Sequence, residues 1–132
     1  MINIVDLFCG AGGSAIGVER IENTNILLAI DFWDKAVKSY NDNLKHKVAK
    51  MMDITKVDKN WLDDKLHKQT VDIVMGGPPC QGFSSTTRYK WKNGTNKDMK
   101  EKNHLFKSFL NIVDILKSKL VIMEIQKGYL FE

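Results

Sequence analysis

The chain has 132 residues, with 20 Lys and Arg against 16 Asp and Glu, 43% hydrophobic residues and two cysteines. That length fits one domain at most, or a piece of a larger one. Hydrophobicity at this level excludes a disordered chain, two distant cysteines do not form a disulfide framework, and no apolar run nears the roughly 20 residues of a membrane span.

Ile2–Leu7 reads as a buried strand, ended by the Gly-rich residues 9–13. Residues 14–22 read as a helix with Ser14 near its start, and 26–30 as a second strand ending at Asp31. Residues 33–43 have helical spacing, and 48–52 form a weaker strand ending at Asp53. A short helix over 59–68 precedes a strand over 71–75, which Gly76-Gly77-Pro78-Pro79 breaks. Residues 85–103 are polar and read as a loop; 104–117 are helical, and Leu120–Met123 is a strand ending at Glu124. Strands separated by helical stretches predict an α/β fold, a parallel sheet with helices on its faces. Ligands of such sheets bind beyond the carboxyl ends of the strands. Asp6 to Gly13, Asp31, Asp53, Gly76 to Ser84 and Glu124 all fall at those ends. No metal site is expected, because there is no C-x-x-C pair and the three histidines are scattered. The N-terminus lacks a basic-then-apolar leader, so a secretory signal is not expected. Together with the cysteines this points to a reducing, cytoplasmic location.

The net charge of +4 is local. Residues 85–103 hold six bases and two acids, while the rest of the chain holds 14 of each. The basicity belongs to one stretch, and a solvated surface loop explains each single base.

Two constellations carry chemistry. Gly10, Gly12 and Ala15 match G-x-G-x-x-G/A between a strand and a helix, and Asp31 follows the first glycine by 21 residues. Glycines permit close backbone approach to a ligand, and the acid takes ribose hydroxyls. By itself the pattern leaves nicotinamide, flavin and adenosylmethionine open, and a plain Gly-rich turn with a solvated Asp competes with all three. Phe8 and Phe32 flank the same rim, where an adenine would stack or the rings would simply pack. The second constellation is Cys80, held behind Pro78-Pro79 and ahead of Gln81-Gly82. Prolines fix the backbone around the thiol. A free thiol with a pKa of about 8.5 needs a lowered value, or a small thiolate fraction, to act as a nucleophile. Cys9, in a tight Gly turn, fits a small buried hydrophobe better.

Asp6-Leu7-Phe8-Cys9-Gly10-Ala11-Gly12-Gly13 and Gly77-Pro78-Pro79-Cys80-Gln81-Gly82-Phe83-Ser84 strongly resemble the first and fourth motifs of cytosine-C5 DNA methyltransferases. Asp31-Phe32 with Ala36, Tyr40 and Asn43 resembles the second motif, Asp53-Ile54 the third, 103–106 the fifth, and Met123-Glu124 with Lys127-Gly128 the sixth. The resemblance implies a Rossmann-like S-adenosylmethionine-dependent methyltransferase fold. It implies S-adenosyl-L-methionine as cofactor: Phe8 and Phe32 flank its adenine, Gly10, Gly12 and Gly13 approach its methionine end, and Asp31 holds the ribose. Asp53 meets the adenine amino group, and Ile54 and Leu105 line the pocket. Cys80 is the implied nucleophile, with Pro79 shaping its turn. Glu124 holds the target base, and double-stranded DNA with a flipped-out cytosine is the implied substrate. The loop after Cys80 then closes over the base, with Ser84, Arg88, Lys90 and Lys92 near the nucleic acid, together with Tyr89 and Trp91.

Two departures stand out. The sixth motif usually reads Glu-Asn-Val, whereas Ile125-Gln126 follow Glu124, so Glu124 is expected to be aimed less firmly. Ser118 stands where a proline is usual. The later motifs and the target recognition domain are not among these residues. The fold is therefore expected to be incomplete at the C-terminus, with residues 1–84 as the cofactor and nucleophile half, 85–103 as the basic active-site loop and 104–132 as the helix and strand carrying Glu124. A fragment, a truncated gene product or one half of a split enzyme with a complementing C-terminal subunit is expected, inactive alone. Three alternatives stay open: an S-adenosylmethionine-binding remnant without catalysis, a fragment of an RNA cytosine-5 methyltransferase, and a nicotinamide-dependent oxidoreductase, in which Pro78-Pro79-Cys80-Gln81 has no role.

Overall fold

The computed structural model describes residues 1–79 and 97–125, with residues 97–103 described by their backbone alone. The elements run β1 (Ile2–Leu7), α1 (Gly13–Val18), β2 (Thr24–Asp31), α2 (Asp34–Asn43), β3 (Ala49–Met51), a 3-10 turn (Ile54–Lys56), α3 (Lys59–Leu66), β4 (Ile73–Gly76), α4 (Lys97–Leu116) and β5 (Leu120–Met123). The five strands form one sheet in the order β3-β2-β1-β4-β5. Every pairing is parallel. This is the doubly wound arrangement expected of alternating strands and helices.

The sheet buries apolar side chains on both faces. Val5, Leu7, Leu28, Ile30 and Val74 pack with Leu62 and Leu66 of α3 and Phe109 and Ile112 of α4. Ile4, Ile26, Ala29 and Met75 pack on the other face with Ala15 of α1, Tyr40 of α2 and the following Leu44. Successive strand residues point to opposite faces, so Ile26 ought to share a face with Leu28 and Ile30. It does not, because the β1–β2 register slips between Ile4 and Val5, where Ile4 meets Ile26 but Val5 meets Leu28. A bulge adds one residue and reverses the alternation beyond it.

Polar clasps fix the frame. Asp72 accepts hydrogen bonds from the backbone N–H of Asn3 and the Nζ of Lys119, and its carbonyl accepts from the N–H of Lys119 and Leu120. One residue before β4 thus sets the register of β1, β4 and β5. On the far edge, the amide of Asn41 donates to the carbonyl of Ala49 at 3.1 Å and accepts from its N–H at 3.0 Å. That clasp ties β3 to α2 and fixes where the chain leaves β3 toward Asp53.

Two elements differ from the sequence expectation. The first helix ends at Val18 rather than 22. Its last turn tightens through Arg20 N–H to Gly17 O and Ile21 N–H to Val18 O, and the Thr24 hydroxyl lies within hydrogen-bond distance of the carbonyls of Val18 and Ile21. Ser14 lies inside its first turn, and Gly12 is the cap residue. The basic loop also ends early, because α4 starts at Lys97. Residues 97–102 are mostly good helix formers but lack an apolar stripe, so the periodicity that marks residues 104–116 does not reach them. The remaining stretch, 85–96, holds three bases and no acid.

β5 lies at the edge of the sheet, paired to β4. Its Leu120, Val121 and Ile122 are 51%, 38% and 52% exposed, an uncovered apolar surface on the edge strand. Among the described residues, no helix is long and apolar enough to cross a membrane, and no three His, Cys, Asp or Glu side chains gather as a metal-ligand group.

Candidate active site

Parallel strands bring their carboxyl ends to one rim, and the site is built there. A cavity of about 560 Å³ opens at the ends of β1, β2 and β3. Phe8, Asp31, Phe32, Asp53, Ile54, Pro79 and Leu105 line it. These seven positions were singled out in the sequence from five separate segments. Ile30, Met51, Met52 and Lys56 line it as well. None of those four stands out as a site residue in the sequence. Met51 and Met52 directly precede Asp53 and share its strand end, a signal that was available. Lys56 comes from the 3-10 turn, which has no periodic signature.

Asp31 is held before any ligand arrives. Its Oδ2 accepts the N–H of Gly10 at 2.9 Å, and its Oδ1 accepts the N–H of Trp33 at 2.9 Å. Its carbonyl accepts from Met52 N–H. The carboxylate is therefore clamped between the turn after β1 and the start of α2, and half-buried. Asp53 is fixed in another way. Its Oδ1 accepts from both the backbone N–H and the hydroxyl of Thr55, at 2.9 and 2.7 Å. Those bonds, the hydroxyl first, hold its carboxyl below the ordinary range. Asp53 is thus an anionic acceptor on the cavity wall. Phe32 is 77% exposed, which leaves a ring face open to a ligand. Phe8 is half-buried against the α3/α4 side of the core. It adopts a φ of 59°, an unfavourable conformation for a side chain of this size that turns the chain sharply out of β1.

The glycines divide by role. None of Gly10, Gly12 and Gly13 is among the residues lining the cavity. Gly10 has a φ of +53°, and the space where a Cβ would stand is open; the same space is open at Gly13. Gly12 has a φ of +94°, and a Cβ there would lie 2.7 Å from Leu44 Cδ1 and 3.1 Å from Tyr40 Cδ2. Gly12 faces α2 and permits close packing of the turn on that helix, so its glycine is explained without a ligand.

Beneath this turn lies a buried polar group. Asp6 is 3% exposed. Its Oδ2 has no hydrogen-bond partner among the described residues. Burial, and secondarily the charge of Asp31, push its carboxyl up to about 7. Cys9 is a buried free thiol. Its pKa is raised by burial, and further by Asp6 and Asp31. It is thus a poor thiolate, and its burial matches the small buried hydrophobe that the Gly turn suggests.

At the other end of the rim, the N–H of Glu124 donates to Gly76 O at 3.0 Å. Its exposed side chain lies over the end of β4, with Oε2 3.3 Å from the place a Cβ would take on Gly77. The backbone bond anchors the strand end although Ile125 follows. Glu124 does not line the cavity, and it stands on the strand beside the one that leads to Cys80. Cys80, Ser84, Arg88, Lys90, Lys92, Tyr89 and Trp91, together with Gln126, Lys127 and Gly128, lie outside the described residues.

The family described as C-5 cytosine-specific DNA methylase matches residues 2–128. The chain belongs to this family. It is 32% identical over 123 residues to the type II methyltransferase M1.HphI of Haemophilus parahaemolyticus, covering 93% of this chain and 32% of that protein. It is 36% identical over 132 residues to the type II methyltransferase M.DdeI of Desulfomicrobium norvegicum, covering 98% and 29%. The chain spans about a third of the length of the curated relatives it matches. Its fold is similar to that of the S. pombe Dnmt2 methyltransferase, with a TM-score of 0.72 at 23% identity, covering 98% of this chain and 37% of that one. The fold is Rossmann-like, as in methyltransferases that use S-adenosylmethionine.

The residues of the methylase cavity fit an adenosine-bearing cofactor. A flat base needs an apolar slot, which Phe32, Ile54, Leu105 and the half-buried Phe8 provide. A sugar with two adjacent hydroxyls needs an acceptor, and the Asp31 carboxylate lines the same cavity. A volume of about 560 Å³ lies within the usual span of small-molecule sites.

Proposed function

We propose that this chain is the cofactor-binding and nucleophile-bearing portion of a DNA cytosine-5 methyltransferase. S-Adenosyl-L-methionine supplies the methyl group when bound. Phe8 and Phe32 would flank its adenine, Asp53 would accept from the adenine amino group, Ile54 and Leu105 would line the slot, and Pro79 would shape the adjoining turn. Asp31 would accept from the ribose hydroxyls, and the open turn at Gly10 and Gly13 would face the methionine end. The single observation that carries the reading is the convergence of Phe8, Asp31, Phe32, Asp53, Ile54, Pro79 and Leu105 on one cavity.

The chemistry follows from the substrate. Carbon 5 of cytosine is a poor nucleophile. Addition of the Cys80 thiolate to carbon 6 forms a carbon–sulfur bond and shifts electron density to carbon 5, which would then take the methyl group as its bond to the cofactor's sulfonium sulfur breaks and the electron pair stays on that sulfur as a thioether. Glu124 meets N3 and the exocyclic amine and offsets the charge that builds during attack. Loss of the carbon-5 proton to a base expels the thiolate and restores the ring. A stacked duplex hides carbon 6, so the cytosine must leave the helix. Ser84, and Arg88, Lys90 and Lys92 in the adjoining stretch now narrowed to 85–96, would meet the phosphates around it.

Further polypeptide would complete the domain, as a continuation of this chain or a complementing subunit. The exposed apolar side chains on β5 and the threefold greater length of the relatives support this. A role in cytoplasmic restriction-modification accords with the type II relatives. The test is covalent trapping on DNA in which the target cytosine carries fluorine at carbon 5, with S-adenosylmethionine present. A denaturation-resistant adduct is expected when a C-terminal methyltransferase fragment is supplied, and none with Cys80→Ser. Sequence-specific methylation by residues 1–132 alone would overturn the fragment reading. Calorimetric binding of S-adenosylmethionine without any adduct would favour the non-catalytic remnant, and an adduct on tRNA but not DNA would favour the RNA enzyme.

A further inference from the structure

Two glycines stand side by side at the end of β4, and the structure gives them different reasons. A Cβ on Gly76 would lie 2.2 Å from the carbonyl oxygen of Leu7. That neighbour is backbone of the central strand and cannot give way. Gly76 is therefore required by the approach of β1 to β4, whose register pairs Leu7 with Gly76. Gly77 meets no such obstacle. The three nearest atoms to a Cβ there all belong to Glu124: Oε2 at 3.3 Å, Cβ at 3.6 Å and the carbonyl oxygen at 3.8 Å. Gly77 also has no left-handed backbone, since Gly10 and Gly12 are the positive-φ glycines among the described residues. Neither turn geometry nor core packing accounts for glycine at this position.

We infer that Gly77 is a positioning residue for Glu124: its bare Cα forms the bed on which the Glu124 carboxylate lies, three residues before Cys80. This rests on the reading that Glu124 meets the target base. The contact has a mechanical basis. Gly76 pairs with Met123 across β4 and β5, and the Glu124 N–H is bonded to Gly76 O, so the backbone of Glu124 cannot retreat from Gly77. The side chain alone can yield. An added methyl group would lie closer than ordinary van der Waals contact to Oε2 and would turn the carboxylate away from the end of β4. The chain segment that leads to the nucleophile thus also sets the aim of the acid on the next strand.

The test uses the full 132-residue chain by nuclear magnetic resonance, without DNA, so its outcome is independent of whether the chain methylates anything. In the wild type, Overhauser contacts from the Gly77 α protons to the Glu124 side chain are expected, with coupling constants that report one dominant χ1 rotamer at Glu124. In Gly77→Ala the χ1 couplings of Glu124 should change, while S-adenosylmethionine affinity stays within about twofold and the thermal midpoint is little altered. Gly76→Ala, by contrast, should lose stability outright. A Glu124→Asp background shortens the side chain, so adding Gly77→Ala there should leave the residue-124 couplings unmoved. Averaged χ1 couplings with no Gly77 contact in the wild type would overturn the inference, even if Gly77→Ala fails to fold. Unchanged Glu124 couplings in a folded Gly77→Ala would overturn it too.

Discussion

The backbone N–H of Gly10 donates to the Oδ2 of Asp31 at 2.9 Å. The Gly-rich turn and the acid after the second strand are therefore bonded to each other, 21 residues apart in sequence. The turn orders the carboxylate, and the carboxylate satisfies the backbone donor of Gly10. A ligand would find an acceptor already oriented, which lowers the entropy cost of binding.

Asp31→Asn tests this preorganisation. The carboxylate accepts from two N–H groups, at Gly10 and Trp33, one through each oxygen. An amide has one acceptor oxygen, so its NH2 must face one of the two donors. A loss of about 1–3 kcal/mol is expected, and S-adenosylmethionine affinity measured by calorimetry should fall by roughly 10- to 100-fold. Affinity equal to wild type would show that the clamp does not serve the ligand.

Phe32→Ala separates binding from folding. The side chain is 77% exposed, so its removal should alter the thermal midpoint little. If the ring stacks on adenine, about 0.5–1.5 kcal/mol of affinity goes with it, up to roughly tenfold by calorimetry. Phe8→Ala behaves differently, because that ring also packs on the core, and stability and affinity should fall together.

Asp6 makes stability depend on pH. Its folded pKa is raised to about 7 by burial and then by Asp31, from an ordinary value of 3.8. Between those values the folded chain holds a proton that the unfolded chain has released. Stability contributed at this site is therefore full below about pH 4, falls as pH rises toward 7, and levels off above. A shift of this size corresponds to about 4 kcal/mol at most. Asp6→Asn cannot ionise, so its thermal midpoint should vary less between pH 5 and pH 8 and exceed the wild type at pH 8. An unchanged pH profile in that variant would place the dependence elsewhere.

The basic stretch has its own test. Residues 85–96 hold Arg88, Lys90 and Lys92 and no acid. If all three meet phosphates, replacing them with Ala should lower the slope of log affinity for duplex DNA against log salt by about 3. A slope equal to wild type would make this a solvated surface loop.

The five strands, their order in the chain and most of the cavity wall were legible from the sequence. Ile2–Leu7 is a short apolar-rich run closed by glycines, Asp31 ends β2 and Asp53 follows β3, and local backbone preference shows in such patterns. Periodicity could not reveal the 3-10 turn that brings Lys56 to the cavity, nor the start of α4 at Lys97, because neither segment carries an apolar stripe. Nor could it reveal the bulge in β2 opposite Ile4 and Val5, which moves Ile26 to the opposite face from Leu28.

The glycines mark the boundary most clearly. Sequence alone determined that Gly10, Gly12, Gly13, Gly76 and Gly77 sit at strand ends of a parallel α/β sheet, because glycine punctuates strands and precedes helices. Only the tertiary structure decided what each one is for. Gly12 lies under Tyr40 and Leu44, Gly76 lies against Leu7 O, and Gly77 lies against Glu124. Each contact joins segments that a linear pattern cannot bring together. What an absent side chain makes room for depends on which neighbour the folded chain places there.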